Sequence, residues 1–313
     1  MSDVVFMGSP EFAVPSLAAL AEAGHNVVGV YSQPDRPAGR GRRLTPSAVK
    51  VWALVHGLKV LEPRTLRSPD VVAELREIAP DIVVVAAYGK ILPEAILMVP
   101  CKGVLNVHPS MLPKYRGASP IAAAMLAGET ATGVTIMLVD AEMDTGPLLA
   151  QRPSPVSRDD TADSLERRLA TEGAALLVDT VSRWLRGEIT PMPQDPAAAT
   201  YSRKLTKEDG EIGWAASAEE ISRKVRALNP WPGTYTMWKG AGLKVLRARD
   251  GGLLAPSPLE PGTVALVAGG EVAVGTGRGL LLLDQVQLAG RQQMTARKLV
   301  AGRHDFVGSR LPS

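Results

Sequence analysis

The polar residues best suited to catalysis lie at the end of one apolar segment. In the run Gly103-Val-Leu-Asn-Val-His-Pro109, strand alternation puts Asn106 and His108 on one face and the apolar residues between them on the other. Pro109 cannot continue the hydrogen bonding of a strand, so the chain leaves the sheet there. Open α/β sheets bind their ligands at the carboxyl ends of parallel strands. The pattern therefore predicts a ligand site here, with a structural, hydrogen-bonded role for His108 as the alternative.

A second polar segment, Asp140-Ala-Glu-Met-Asp-Thr-Gly-Pro147, follows a predicted strand. Asp144-Thr-Gly is typical of a turn, and if the two strands are neighbours Asp144 can reach the imidazole of His108. An asparagine can donate to a developing oxyanion, a histidine can move protons, and an aspartate can orient the imidazole and stabilise its charged form. The three residues together suit acyl-type transfer. No Ser or Cys is clearly placed as a covalent nucleophile, and we expect Cys101 to be inert.

A third segment, Pro34-Asp-Arg-Pro-Ala-Gly-Arg-Gly-Arg-Arg43, is rich in arginine. Its glycines and prolines exclude a helix. It is either a solvated surface loop or a loop that contacts phosphates at short range, and we favour an anionic partner. The four arginines concerned are Arg36, Arg40, Arg42 and Arg43.

Alternating strand and helix patterns position these segments within residues 1–189. Expected strands are Val4–Met7, Asn26–Tyr31, Asp81–Ala87, Gly103–Val107 and Gly133–Val139. Expected helices are Pro10–Ala23, Ser47–His56 with Thr45 as N-cap and Pro46 at the first position, Asp70–Ala79, Ala118–Ala127, and a long helix capped by Asp160 that ends at Arg186. This alternation predicts an α/β fold whose parallel sheet is covered on both faces.

The sequence changes character beyond residue 189. Residues 190–206 include a proline-rich stretch without an apolar period, which indicates an extended linker. Residues 207–313 contain short strands with turn signals between them, typical of a small β-barrel. Those strands are Thr234–Lys239, Leu243–Ala248, Gly262–Val267, Glu271–Gly275 and Leu280–Gln287, with helices near Ala218–Leu228 and Thr295–Gly302. This part holds fourteen Lys and Arg against ten Asp and Glu, which is either surface variation or a sign of a polyanionic partner.

Composition excludes several classes of protein. The chain of 313 residues is 45% hydrophobic and 21% charged, which is typical of a globular protein and not of a disordered one. No apolar run is long enough for a membrane span, and no signal peptide is visible, so we expect a cytoplasmic protein. One cysteine and four histidines argue against a disulfide and against a metal site. The turn Met7-Gly-Ser-Pro-Glu-Phe12 lacks G-x-G-x-x-G, so neither NAD binding nor hydride transfer is expected.

At this point the sequence shows a resemblance to a known family. Asn106-Val-His-Pro-Ser-Met-Leu-Pro-Lys-Tyr-Arg-Gly117 resembles the signature N-x-H-x-S-L-L-P-x-x-R-G of the formyltransferases that use 10-formyltetrahydrofolate. Segments along essentially the whole chain resemble the methionyl-tRNA formyltransferases of that superfamily. They are Phe6–Pro15, the Pro34–Arg43 loop, Ala86–Gly89, Thr132–Met137, Met143–Gly146, Tyr201–Asp209 and Asn229–Gly233. The departures are small: Met111 stands where leucine is usual, and Ser9 where threonine is common.

The resemblance implies a Rossmann-like catalytic domain over residues 1–189, a linker over 190–206, and an OB-like, tRNA-binding barrel over 207–313. It implies formyl transfer from 10-formyltetrahydrofolate to the α-amino group of methionyl-initiator tRNA, for translation initiation, without metal or NAD. The expected catalytic residues are Asn106, His108 and Asp144, and the expected oligomeric state is a monomer. The folate site would be formed by Ser110, Met111, Leu112, Pro113, Ala86, Tyr88, Gly89, Asp140 and Met143. The arginines expected to contact the tRNA acceptor end are Arg36, Arg40, Arg42 and Arg43, with Arg40 the most important.

Other functions stay open at this point. Related formyltransferases that act on amino sugar nucleotides share the Asn/His/Asp trio, so only the arginine loop and the basic C-terminal part argue for RNA. A glycinamide ribonucleotide formyltransferase would not need the additional C-terminal domain. A non-catalytic RNA-binding protein would have no use for the trio.

Overall fold

The computed structural model describes residues 2–38, 43–252 and 259–313, and of Ala38 and Arg43 the backbone alone. These residues form two compact units. The first contains the described residues of 1–120, 131–155 and 166–202, and the second those of 121–130, 156–165 and 203–313.

The first unit is built on a seven-stranded sheet with the order β10-β9-β7-β6-β1-β2-β5. Two short pairs of strands, β3 with β4 and β8 with β11, lie outside it. The strands are β1 (Asp3–Gly8), β2 (Asn26–Tyr31), β3 (Arg36–Ala38), β4 (Arg43–Thr45), β5 (Val60–Leu61), β6 (Ile82–Ala86), β7 (Val104–His108), β8 (Arg116–Gly117), β9 (Ala131–Leu138), β10 (Leu148–Pro155) and β11 (Tyr201–Ser202).

Five strands of the large sheet, β5, β2, β1, β6 and β7, are parallel; the sequence predicts four of them, and the two-residue β5 was not expected. The central strands β1 and β6 are apolar throughout and almost wholly buried, because helices cover both faces of such a sheet. The expectation of a wholly parallel sheet is wrong at one edge, where β9 pairs antiparallel with β7 and β10 antiparallel with β9. Strand β10 was not expected at all, since its two prolines and its arginine suit only an exposed edge.

The helices occur where the sequence places them, with ends that differ by a few residues. They are α1 (Val14–Glu22), α2 (Ala48–Val55), α3 (Pro69–Ile78), α4 (Glu94–Leu97), α5 (Pro120–Leu126), α6 (Ala162–Leu185), α7 (Ala218–Ala227) and α8 (Ala296–Gly302). The short helix α4 was not expected.

Two predicted helix caps are wrong. The N-cap of α2 is Ser47, whose hydroxyl accepts a hydrogen bond from the Lys50 backbone N–H at 3.0 Å, and not Thr45. At the start of α6 the Thr161 hydroxyl accepts a hydrogen bond from the Ser164 N–H at 3.2 Å, so Thr161 is the N-cap, and not Asp160. In each case a nearer hydroxyl satisfies the free N–H of the first turn.

The second unit contains a six-stranded antiparallel sheet in the order β12-β13-β16-β15-β14, with β17 paired to β16. The sheet surrounds an apolar core in which Trp238 and Phe306 are fully buried and meet edge to face at 5.1 Å between ring centroids. The predicted barrel-like arrangement of short strands is therefore confirmed. The strands are β12 (Thr234–Trp238), β13 (Ala241–Asp250), β14 (Val264–Val267), β15 (Glu271–Gly275), β16 (Leu280–Leu288) and β17 (Met294–Thr295).

Two classes of site are not found in the part of the chain that the structure describes. None of its helices is both long enough and apolar enough to span a membrane. Within the same residues, no cluster of three or more His, Cys, Asp or Glu side chains has the arrangement needed to hold a metal ion.

Candidate active site

Strand β7 carries Asn106 and His108 toward one face of the sheet. Leu105 and Val107, on the other face, are buried, as is His108 with 4% exposure. Asn106 is half-buried, and among the described residues its side-chain amide has no hydrogen-bond partner in the protein. A polar amide near the carboxyl end of β7 is thus left with donors for a ligand.

The imidazole of His108 lies between two hydrogen-bond acceptors. Its Nε2 is 3.1 Å from the backbone carbonyl oxygen of Tyr115, and its Nδ1 is 3.7 Å from Oδ1 of Asp144. Burial lowers the pKa of His108, and the Asp144 carboxylate and the Tyr115 carbonyl oppose that change. The Tyr115 carbonyl is within hydrogen-bond distance of the ring, whereas the Asp144 carboxylate, at 3.7 Å, would stabilise a protonated ring through its charge.

Asp144 is held in an unusual backbone conformation. Its φ of +56° lies in the left-handed region, which aspartate tolerates better than most residues. Its Oδ2 accepts a hydrogen bond from the Gly117 backbone N–H at 2.8 Å, and Oδ1 faces His108. The structure thereby brings Asn106, His108 and Asp144 to one edge of the sheet, although β9 runs antiparallel to β7.

The segment Ser110–Pro113 follows β7 and is fixed by a side chain that the sequence reasoning missed. The Thr135 hydroxyl donates to the Ser110 carbonyl oxygen at 2.7 Å and accepts from the Leu112 N–H at 3.2 Å. Gln151 on β10 donates to the same hydroxyl at 2.9 Å and to the Leu112 carbonyl oxygen at 2.8 Å. Thr135 lies opposite His108 in the strand register, which places it directly beneath this segment.

Within this segment the side chains have different surroundings. The Ser110 hydroxyl donates to the Lys114 carbonyl oxygen at 2.6 Å, so it helps to close the turn. Leu112 is 3% exposed and packs with Met137 and Leu148. Met111 and Pro113 are half-buried, and of the four residues they present the most side-chain surface to a ligand.

The chain at the end of β6 faces the candidate site with its backbone more than with its side chains. Ala86 and Tyr88 are both buried, and burial raises the pKa of Tyr88 to about 12, so its phenol stays neutral. The Tyr88 carbonyl oxygen accepts a hydrogen bond from Gln33 Nε2 at 2.7 Å, and Gly89 beside it is exposed.

The loop after β9 is shaped by Asp140, whose Oδ1 accepts from the Thr145 hydroxyl at 2.7 Å and from the Glu142 N–H at 3.2 Å. Met143 is 61% exposed on this loop. An exposed methionine next to Asp144 offers an adaptable apolar contact to a ligand.

At the two ends of the arginine segment, residues 36–38 and 43–45 pair antiparallel as β3 and β4. Arg36 is exposed, and its guanidinium donates to Oε1 of Gln33. Arg40 and Arg42 lie outside the described residues, and for Arg43 only the backbone, in β4, is described.

Known proteins similar to this chain point to one family. A formyl transferase family model matches residues 2–181, and a model of the formyl transferase C-terminal domain matches residues 204–304. A methionyl-tRNA formyltransferase of Chloroflexus aurantiacus is 50% identical over 302 residues, which is 96% of this chain and 97% of the relative. The chain belongs to the methionyl-tRNA formyltransferase family. The resemblance drawn from the sequence, and with it the expected class of enzyme, is confirmed.

Further comparisons agree with this family. A methionyl-tRNA formyltransferase of Thiobacillus denitrificans is 46% identical over 98% of this chain and 99% of the relative. The N-formyltransferase from Helicobacter canadensis, solved with folinic acid and dTDP-3-aminofucose, has a TM-score of 0.68 at 18% identity over 94% of this chain and 100% of that one. HypX from Aquifex aeolicus in complex with tetrahydrofolic acid has a TM-score of 0.65 at 18% identity, over 96% of this chain and 47% of HypX. At these identities the solved structures show the shared fold.

Proposed function

We propose that this chain transfers the formyl group of 10-formyltetrahydrofolate to the α-amino group of methionyl-initiator tRNA, the step that prepares the initiator for translation. The observation that carries the proposal is the convergence of Asn106, His108 and Asp144 at one sheet edge. The relatives named methionyl-tRNA formyltransferase support the choice of acceptor, because they match the chain over nearly its full length.

The residues at the sheet edge fit a folate co-substrate. The Asn106 amide is half-buried and, within the described residues, has no protein partner, so it is available to a formyl oxygen. The backbone of Ser110–Pro113 is fixed by Thr135 and Gln151, which gives a rigid wall beside that amide. We therefore assign the folate site to Ser110, Met111, Leu112, Pro113, Ala86, Tyr88, Gly89, Asp140 and Met143, several of them through their backbone alone.

In this proposal the 10-formyl group of the folate supplies the carbon that the amine attacks. Asn106 donates a hydrogen bond to the formyl oxygen as negative charge develops there. His108, which donates through Nε2 to the Tyr115 carbonyl in its neutral state, takes a proton at Nδ1 from the attacking amine. Asp144, 3.7 Å from that nitrogen, stabilises the imidazolium and keeps the ring oriented. The bond between the formyl carbon and N10 then breaks, the imidazolium gives its proton to the departing N10 of tetrahydrofolate, and no covalent enzyme intermediate is required.

We also propose where the tRNA binds. Arg36, Arg40, Arg42 and Arg43 would contact phosphates of the acceptor end, and the basic domain over residues 207–313 would bind the RNA body. In this division of the chain, with a catalytic domain over 1–189 and a linker over 190–206, the catalytic domain would hold the folate and the acceptor end of the tRNA, and the C-terminal domain the rest of the RNA. We expect the protein to act as a monomer in the cytoplasm, where initiator tRNA is used.

The direct test is formyl transfer to charged initiator tRNA compared with charged elongator tRNA. We expect transfer to the initiator only. Asn106→Ala should lower kcat about 10²–10³-fold with folate binding nearly intact, the usual loss when one oxyanion donor is removed. The control Glu77→Ala, which removes an exposed side chain on α3, should act like the wild type.

Two results would contradict the proposal. Wild-type turnover in Asn106→Ala would exclude the assigned chemistry. Folate binding without transfer to either tRNA would exclude the assigned acceptor, and amino sugar nucleotides would be tested next.

A further inference from the structure

Gln194 connects two segments of the active-site region from within the stretch expected to be a linker. Its Nε2 donates to the backbone carbonyl oxygens of Asp144 at 2.9 Å and Gly146 at 2.7 Å. Its Oε1 accepts from Nε and Nη2 of Arg116, at 3.1 and 2.8 Å. Both donors of the amide and both lone pairs of its oxygen are thus used, which no other side chain of similar size could reproduce.

The Asp144 peptide needs such support because of its backbone conformation. A residue with φ of +56° persists where its surroundings fix it. The carboxylate of Asp144 is fixed by the Gly117 N–H, and its carbonyl by Gln194. With both ends of the residue held, Oδ1 is directed at His108.

The other partner of Gln194 leads to the opposite side of the imidazole. Arg116 is only 4% exposed and directly follows Tyr115, whose carbonyl oxygen is 3.1 Å from His108 Nε2. Tyr115 also has a left-handed φ, of +60°. The Gln194 amide therefore contacts both chain segments beside the His108 ring. One supplies the Tyr115 carbonyl and the other the Asp144 carboxylate.

Residues 200–202 reinforce the same segment. The Thr200 hydroxyl accepts from the Tyr115 N–H at 2.8 Å, and the Thr200 carbonyl accepts from the Arg116 N–H at 2.9 Å. Tyr201 and Ser202 then pair with Arg116 and Gly117 as β11 and β8. The stretch 194–202 is thus bonded to the catalytic loop at both of its ends and belongs to the first unit.

We propose that Gln194 is a positioning residue for formyl transfer, which holds Asp144 and the Tyr115–Arg116 segment in the arrangement that orients His108. The proposal rests on the proposed function for its effect on rate. Its structural part, the orientation of Asp144 toward His108, can be measured without any substrate.

The first variant is Gln194→Met, which keeps the length of the side chain and removes its four hydrogen bonds. We expect kcat to fall about 10- to 100-fold with the KM for 10-formyltetrahydrofolate changed little, since a displaced catalytic group costs rate more than binding. Imidazole NMR titration gives the second readout, because the chain has only four histidines to assign. The pKa of His108 should fall relative to wild type, because the Asp144 carboxylate that raises it is no longer held nearby.

The matched control is Asp195→Asn, in the neighbouring residue. Asp195 is exposed and accepts a hydrogen bond from the Ala197 N–H at 2.9 Å, which asparagine can still accept. We expect wild-type kcat and an unchanged His108 pKa. A role of Gln194 in stability alone would lower the melting temperature of Gln194→Met and leave the His108 pKa where it is, and that result would overturn the proposal.

A second variant, Gln194→Glu, separates the hydrogen bonds that Gln194 donates from those that it accepts. A carboxylate still accepts from Arg116 but cannot donate to the carbonyls of Asp144 and Gly146. Its readout is kcat, since its added charge would itself raise the pKa of His108. We expect kcat to fall as far as in Gln194→Met. A wild-type kcat would show that the hydrogen bonds donated to Asp144 and Gly146 do not matter for the reaction. Should the wild-type protein not formylate methionyl-tRNA, the proposed function fails, while the His108 titration of Gln194→Met still decides the positioning role.

Discussion

The pair His108 and Asp144 combines burial with charge, and this makes the histidine sensitive to pH. Burial lowers the pKa of His108 below its usual 6.5, while Asp144 and the Tyr115 carbonyl oppose the shift. Near neutral pH the ring is therefore mostly uncharged, ready to take up a proton during the reaction. The same property predicts how the stability of the fold depends on pH.

A group with a lowered pKa in the folded state binds protons more readily in the unfolded chain. The difference in unfolding free energy between wild type and His108→Gln should therefore be constant above pH 6.5. It should change in favour of the variant as the pH falls from 6.5 through the lowered pKa of the folded protein. Denaturant unfolding of both proteins at pH 7.5 and at pH 5.5 measures the difference. We expect wild type to lose more stability than His108→Gln on acidification, and a difference that does not depend on pH would contradict this.

Replacement of the Asp144 carboxylate by an amide removes charge and keeps shape. In Asp144→Asn the side-chain oxygen can still accept from the Gly117 N–H, and asparagine tolerates the left-handed backbone. The imidazolium of His108 loses its counter-charge, so we expect kcat to fall about 10²-fold or more and the His108 pKa to fall further. Steady-state kinetics and imidazole titration measure both, and an unchanged kcat would show that the carboxylate is not needed.

The sequence predicted the candidate catalytic side chains better than it predicted the side chains that fix their positions. Asn106, His108 and Asp144 stand out because polar residues at strand ends are few and have recognisable spacing. Thr135, Gln151 and Gln194 were missed, since a single threonine or glutamine in a strand or a proline-rich stretch is an ordinary residue. Their roles depend on which carbonyl each side chain faces, and this is set by tertiary contacts across tens of residues.

Among the elements, the buried strands and amphipathic helices were predictable from apolar periodicity, and the antiparallel edge was not. The direction of β9 leaves no trace in its own alternation pattern, and β10 carries too many polar residues and prolines to read as a strand. The composition of residues 190–206 indicated an extended linker, but Gln194 and Thr200 in that stretch bind the catalytic loop through hydrogen bonds that composition does not reveal.

The pairing of β8 with β11 depends on Gly117. Its φ is +110°, and a Cβ there would lie 2.3 Å from the Ser202 carbonyl oxygen. Gly117→Ala should therefore force the two strands apart, shift the N–H that binds Asp144, and lower the unfolding free energy by about 1–3 kcal/mol. We expect kcat to fall in the folded fraction as well.

Gly187→Ala serves as the matched control for that variant. Gly187 also has a positive φ, of +73°, but no atom lies within 4 Å of a Cβ at that position. It should lose stability from backbone strain alone and keep wild-type kcat. Equal kcat values for the two alanine variants would show that the β8–β11 contact does not influence the active site.

The distribution of charge over the protein is the property that favours an RNA acceptor over a small-molecule acceptor. The chain has a net charge of only +3, yet fourteen Lys and Arg against ten Asp and Glu lie from residue 207 onward, and four arginines lie between positions 36 and 43. Phosphate contacts release counterions, so binding that uses these groups must weaken as salt concentration rises. A small folate site has no comparable dependence.

Removal of one loop arginine should therefore affect the tRNA and not the folate. In Arg40→Ala we expect weaker binding of initiator tRNA at every salt concentration and a slope of log affinity against log salt smaller by about one, with folate affinity unchanged. Arg76→Ala, which removes an exposed arginine from α3, is the control and should leave the slope as in wild type. Binding measured over a series of salt concentrations gives the slope for each protein. If Arg40→Ala keeps the wild-type slope, the loop does not contact phosphate, and the basic domain alone would have to account for the salt dependence.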